Sequence, residues 1–333
     1  MSQIQPAQKI GQIYQNTVPT SQSVKGGMLK IFWQFLTTDN EREPKKQLGP
    51  FHTDASIYKS PPASSLRITW MGHSSLIIEI DGKRILTDPV WGPRASFSSF
   101  IGPKRFFPAP LALEQLPALD VIILSHDHYD HLDYPTIKQL ASGSIPIVCS
   151  VGVGPIIEKW GVGKSRITEM DWGTTTTIDN LSITATPARH FSGRRITNRN
   201  QTLWSSWVIK GNRHNIYFGA DSGWFPGFKD IGEAFGPFDL TMLEIGAYGD
   251  GWPDIHMGPD HATNAHQALR GRVMMPIHWG TFNLALHPWR EPVERFIQYA
   301  DQKKSLPFFP GPECQLRFQE ATIRSGGFNI SIA

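Results

Sequence analysis

Ile122-Ile123-Leu124-Ser125-His126-Asp127-His128-Tyr129-Asp130-His131-Leu132-Asp133 is the stretch on which the reading of this chain turns. Its apolar start, Val121 to Leu124, reads as a buried strand, and three histidines and three aspartates follow within eight positions. In an extended segment residues two apart share a face, so His126 and His128 aim two imidazoles at one point. Asp130 and His131 come where the backbone must turn and face a second point nearby. Imidazole nitrogen and carboxylate oxygen are zinc ligands, and paired metals in hydrolases lie roughly 3.5–4 Å apart. The run reads as one wall of a two-metal site.

Three later apolar strands end in further candidate ligands. Residues 181–186 lead to His190, 215–220 to Asp221, and 273–277 to His278. A fourth strand, 240–245, runs into Gly246-Ala247-Tyr248 and offers no obvious ligand. The resulting assignment gives one metal His126, His128 and His190, and the other Asp130, His131 and His278. Asp221 bridges them, since a two-oxygen carboxylate can hold two cations and offset their repulsion. A hydroxide between the metals is the expected nucleophile, which makes Asp130 and Asp221 catalytic as well as ligating. His73 and Asp88 read as groups that orient ligand imidazoles through hydrogen bonds.

Around these points the chain alternates. Strands are expected at 66–70, 75–80 and 84–87, with Asp81-Gly82 as a hairpin turn. A helix over 134–141, a strand at 145–149 and a helix over 154–160 follow the histidine-rich loop. Strands return at 181–186, 202–209, 215–220, 240–245 and 273–277, with helices over 260–269 and 292–303. Strand-rich and then αβ units occur twice, which suits two halves packed sheet on sheet with helices outside. Residues 1–62 read as an N-terminal arm with a connector, and 63–333 as one metallo-hydrolase domain. Within the arm, residues 28–36 have helical apolar spacing; they read as an amphipathic helix packed on the domain, with a membrane surface as the other use.

Composition narrows the functions. The 333 residues are 40% hydrophobic and 18% charged, the balance of a globular protein. A net charge of +3 with no dense basic run argues against a nucleic-acid partner. Cys149 and Cys314 form no disulfide framework. Met1 to Thr20 is polar and carries no cationic-then-apolar leader, and no run approaches the ~20 apolar residues of a membrane span, so a cytoplasmic place, peripheral to a membrane if residues 28–36 bind one, is the expectation. The sequence carries no reading of oligomeric state.

The ligand series resembles the metallo-β-lactamase superfamily. Trp70-Met71-Gly72-His73-Ser74-Ser75, Leu86-Thr87-Asp88-Pro89-Val90-Trp91, Pro187-Ala188-Arg189-His190-Phe191-Ser192, Ile245-Gly246-Ala247-Tyr248 and Ile277-His278-Trp279-Gly280-Thr281-Phe282 carry a narrower resemblance, to the N-acylphosphatidylethanolamine-hydrolysing phospholipases D and their bacterial relatives. That resemblance implies an αββα sandwich of two mixed β-sheets flanked by helices. It implies two zinc ions, with iron or manganese as substitutes, and a lipid or small-molecule phosphodiester as substrate. It also implies an active-site histidine outside the ligand set, which His256-Met257-Gly258-Pro259 matches. Arg194 and Arg195 are then candidate phosphate contacts. A lactonase or other carboxylic-ester hydrolase on the same fold is the rival activity, and a membrane-associated binding module the non-enzymatic one.

Overall fold

The computed structural model describes residues 4–22, 27, 33, 37, 41–302 and 329–331. Apart from residue 33, the stretch 28–36 read as a helix lies outside the described residues, as does Cys314.

The first half of the chain makes one sheet and the second half the other. After a small hairpin, β1 (Lys9–Ile10) and β2 (Ile13–Tyr14), come β3 (Leu66–Gly72), β4 (Ser75–Ile80), β5 (Lys83–Thr87), β6 (Val121–Leu124), β7 (Ile147–Ser150) and β8 (Ile167–Met170). They lie in that order, and β15 (Asn329–Ser331) caps the β3 edge. The second sheet orders β14 (Gly271–Ile277), β13 (Phe238–Glu244), β12 (Asn215–Phe218), β11 (Ser206–Lys210), β10 (Leu181–Thr186) and β9 (Thr175–Ile178). Both sheets are mixed: each opens as an antiparallel meander and closes with parallel strands. Asp81 and Gly82 both take positive φ between β4 and β5, as a two-residue hairpin turn demands.

Period-two alternation assigns the faces. Leu76, Ile78, Ile80, Ile85 and Ile123 point into the layer between the sheets, where they share one core with Leu181, Ile183, Ile209, Phe218, Leu240 and Met242. Ile77, Leu86, Ile122, Leu124 and Cys149 face outward, beneath α1 (Tyr134–Leu140) and α2 (Gly154–Lys159), through Ile137 and Ile157. Each such side chain contributes ~1.5–3 kcal/mol. On the other side lie α3 (Gly227–Phe235), α4 (Pro259–Ala268) and α5 (Glu291–Gln302). This is an αββα sandwich. Among the described residues no helix is long and apolar enough to cross a membrane.

Two local expectations are corrected. The strand read at 202–209 begins at Ser206, because the residues before it serve the other sheet. Leu203 donates to the Val151 carbonyl at 2.7 Å and Ser205 to that of Ser125 at 3.1 Å, which takes them out of the β11 ladder. Helix α3 was not foreseen; Phe228 and Ile231 give it an apolar face, and at Gly232 a Cβ would stand 2.2 Å from the Ala268 carbonyl, so only glycine permits that approach.

Candidate metal centre

Every residue of the centre sits just past the end of a strand. Parallel pairing makes this possible: Thr87 of β5 is level with Ile123 of β6, so Asp88 and Ser125 emerge together at one edge. In the second sheet Phe218 is level with Met242 and Glu244 with Ile277, which delivers Asp221, Glu244 and His278 to the facing edge. The turns there are tight. His73, Asp88, Ala220 and His278 all adopt positive φ, a region that costs L-residues of order 1–3 kcal/mol. Supporting contacts hold them: His278 donates its backbone N–H to the His73 carbonyl (3.1 Å), Asp88 to that of Ile123 (2.9 Å). Trp70 and Trp279 stack across the sheets with ring centres 5.5 Å apart.

The side chains gather into three overlapping sets: His126, His128, His190 and Asp221; His73, Asp130, His131 and His278; and Asp221, Glu244, His256 and His278. In the first, His126 Nε2 lies 2.9 Å from His128 Nδ1, and His190 Nε2 lies 3.2 Å from the same atom. Nitrogens at 2.0–2.1 Å around a tetrahedral ion stand roughly 3.3 Å apart, so this spacing suits a shared cation. In the second, His278 Nε2 is 3.3 Å and His131 Nε2 3.6 Å from Asp130 Oδ2. Asp221 turns a different oxygen to each: Oδ2 to His126 (3.8 Å) and His190 (3.6 Å), Oδ1 to His131 (3.0 Å) and His278 (3.1 Å). His73 stands in the second set, its Nε2 2.9 Å from Asp130 Oδ2.

A divalent cation fits these residues. His131 Nε2, His278 Nε2 and Asp221 Oδ1 are buried together and, beyond their 3.0–3.1 Å approach to one another, meet no hydrogen-bond partner; buried polar atoms left so cost several kcal/mol unless something satisfies them. The electrostatics agree. Burial and the neighbouring His131 and His128 rings hold the His126 imidazole well below its ordinary pKa, and burial with the His256 and His128 rings does the same for His190. These rings are neutral donors. Burial disfavours the Asp221 and Asp130 anions, yet the surrounding imidazoles hold both well below the usual carboxylate range. Against burial, the same carboxylates push His278 up to about 10, which marks a pocket that demands positive charge.

Surrounding groups fix the rings. Asp88 accepts from His131 Nδ1 (2.7 Å), from Ser125 N–H (2.7 Å) and from Ser125 Oγ (2.6 Å). His190 donates from Nδ1 to the Ile255 carbonyl at 2.8 Å, which leaves Nε2 facing the pocket. Arg194 donates to the Asp127 and Leu132 carbonyls (2.8 and 2.7 Å) and lies on the Tyr129 ring, so it ties both ends of the histidine-rich loop. Arg195 is exposed.

Two residues escape sequence reasoning. Glu244, the last residue of β13, is fully buried; it accepts Ser222 N–H at 2.5 Å through one oxygen and His256 Nδ1 at 2.7 Å through the other. A carboxylate at the end of the apolar run 240–245 is the signal the sequence offers, and it corrects the expectation that this strand supplies no polar group to the centre. Asn16 brackets the His190 backbone, accepting from its N–H (3.0 Å) and donating to its carbonyl (2.8 Å). Nothing in the sequence announces a contact across 174 positions.

A two-sheet sandwich with histidines and carboxylates gathered at its strand ends is the architecture of a metal-dependent hydrolase. Residues 83–279 match the family model for the beta-lactamase superfamily domain, and the chain belongs to the metallo-β-lactamase superfamily. It is 36% identical over 319 residues to N-acyl-phosphatidylethanolamine-hydrolyzing phospholipase D 1 of Caenorhabditis elegans, covering 89% of this chain and 88% of that one. An uncharacterized Mycobacterium tuberculosis protein is 44% identical over 286 residues, 85% of this chain and 76% of that one. Among solved structures, an isothiocyanate hydrolase from Delia radicum gut bacteria superposes with a TM-score of 0.62 at 19% identity, covering 80% of this chain and 99% of that one. That likeness concerns the fold.

Proposed function

We propose that the chain is a dinuclear zinc phosphodiesterase of phospholipase D type, acting on N-acylphosphatidylethanolamine-like phospholipids or related phosphodiesters. The observation that carries this reading is Asp221, which offers one oxygen to each of two histidine clusters. His126, His128 and His190 would hold one ion; Asp130, His131 and His278 the other; Asp221 would touch both. When bound, two such ions supply Lewis acidity toward a phosphoryl oxygen and make water acidic enough to attack near neutral pH. The similarity to the nematode phospholipase, spread over most of both chains, supports the substrate class.

The chain's own residues supply the rest. His256 is half-buried, its ring centre 4.9 Å from that of His190 and 5.4 Å from that of His278. Glu244 accepts its Nδ1–H, and the imidazolium that this carboxylate would stabilise carries a second proton, on Nε2, for the departing alcohol. Glu244→Gln, which keeps the volume but not the charge, should retain both ions and slow turnover by ~10–100-fold; metal analysis beside kcat checks this. Arg195 is the freer of the two candidate phosphate contacts, because Arg194 serves two loop carbonyls.

Elemental analysis of the purified protein should find about two zinc ions per chain, and chelation should abolish turnover and lower the Tm, with zinc restoring both. Hydrolysis of bis-p-nitrophenyl phosphate and of N-acylphosphatidylethanolamine, set beside a lactone panel, tests the substrate. Lactone turnover alone would sink the phosphodiesterase reading.

A further inference from the structure

We propose that the hairpin of residues 93–104 is a docking element for anionic lipid bilayers, its apolar tip entering the interfacial layer while Lys104 at its base meets the headgroups. The hairpin is built rather than loose. Arg94 pairs with Lys104, Ala95 donates to the Pro103 carbonyl at 3.0 Å and Arg105 to that of Pro93 at 3.0 Å. The Arg94 guanidinium turns over the loop and donates to the Gly102 carbonyl (2.5 Å) and the Ser99 carbonyl (3.2 Å).

This scaffold holds three large apolar side chains in water: Phe97 is 79% exposed, Phe100 85% and Ile101 66%. Isolated apolar residues on a surface are ordinary, but three within five positions at the tip of a braced hairpin form a patch. The surrounding charge selects the occupant. From Pro89 to Leu113 the chain contains Arg94, Lys104 and Arg105 and no acidic residue; Arg105 is buried, and Lys104 is exposed at the hairpin base. An apolar wedge with a cationic base complements an anionic membrane surface. A protein partner fits less well, because three side chains of at most ~150–250 Å² each fall short of the ~800 Å² per partner that stable interfaces bury.

The hairpin also borders the metal centre. Phe97 meets the Tyr129 ring, centroids 6.3 Å apart, and Tyr129 sits between His128 and Asp130. A cleft of about 380 Å³ separates the hairpin from Tyr129, Tyr134 and Trp160. Docking through the tip would therefore bring a bilayer to the loop that carries four of the seven candidate ligands. The proposal stands whether or not a phospholipid is the substrate.

Co-sedimentation with vesicles of phosphatidylcholine, alone or mixed with phosphatidylglycerol, tests it. The full-length protein should bind the mixed vesicles more tightly, and added salt should weaken that binding. Phe100→Ser combined with Ile101→Ser should lose roughly tenfold or more in vesicle affinity for each side chain removed, and Lys104→Glu should weaken binding to the anionic vesicles alone. Turnover of bis-p-nitrophenyl phosphate by the double variant should stay within about twofold of the parent, a change of ~0.4 kcal/mol. Unchanged vesicle binding by the double variant overturns the proposal. So does loss of turnover on the small diester, which would place the tip in the substrate site, or a self-association in light scattering that the double variant alone abolishes. Vesicle binding without phospholipid hydrolysis would leave the docking element standing and remove the phospholipase reading.

Discussion

Replacing Asp221 with asparagine is expected to lower phosphodiester turnover by about three orders of magnitude, equivalent to ~4 kcal/mol of transition-state stabilisation. The carboxylate presents Oδ2 to His126 and His190 and Oδ1 to His131 and His278. An amide keeps one acceptor oxygen and puts an NH₂ donor where the other stood, against a ring nitrogen that is needed as an acceptor. It would also remove the negative charge that offsets the mutual repulsion of two bound cations, if the site holds two as proposed. Metal content should fall from two ions toward one, while circular dichroism should report a folded chain, since the core does not depend on this residue. Asparagine protein that keeps both ions and full turnover would contradict the bridging role.

The second large effect concerns stability. Arg105 is buried, and its guanidinium donates to the Val90 carbonyl at 2.6 Å, the Met71 carbonyl at 3.0 Å and the Phe107 carbonyl at 3.1 Å. Met71 leads into His73 and Val90 follows Asp88, so this one side chain ties two of the turns that enter the metal centre. Burial pulls its pKa down to about 10, with Asp133 the charge that opposes the shift, and it remains a cation at neutral pH. Arg105→Ala would strand three carbonyls in a dry interior, at a cost of ~3–5 kcal/mol. Urea unfolding monitored by tryptophan fluorescence should show it. Arg105→Lys should recover only part, because a point-like ammonium cannot reproduce the planar fork. A loss below ~1 kcal/mol in the alanine variant would mean that water or a rearranged loop replaces the guanidinium.

The legible part of this protein was the part written in local patterns. Short apolar runs, alternating or continuous, marked β3 to β6, β10 and β12 to β14, because a strand buried on one face alternates its side chains and one buried on both is apolar throughout. The Asp81-Gly82 turn was legible for the same local reason, two positive φ angles in succession. The ligand candidates were legible because a histidine or aspartate directly after an apolar strand has few other uses. Helix α3 and the true start of β11 were not. The first is short, and the second turns on bonds from Leu203 and Ser205 to the opposite sheet, which no window of neighbouring residues contains.

Hydrophobic periodicity and turn chemistry act over a few positions, so local sequence marks most of the strands, the sheet-on-sheet arrangement they suit and the residue types at their ends. Only the tertiary structure decided what those ends do together. Parallel register set Glu244 beside Ile277 and so brought a carboxylate to His256. Packing of the two sheets placed Asp221 with one oxygen on each cluster. The N-terminal segment crossed the molecule to brace His190 through Asn16. Distances between side chains far apart in the chain come from the closing of the whole core, and a linear pattern does not encode them.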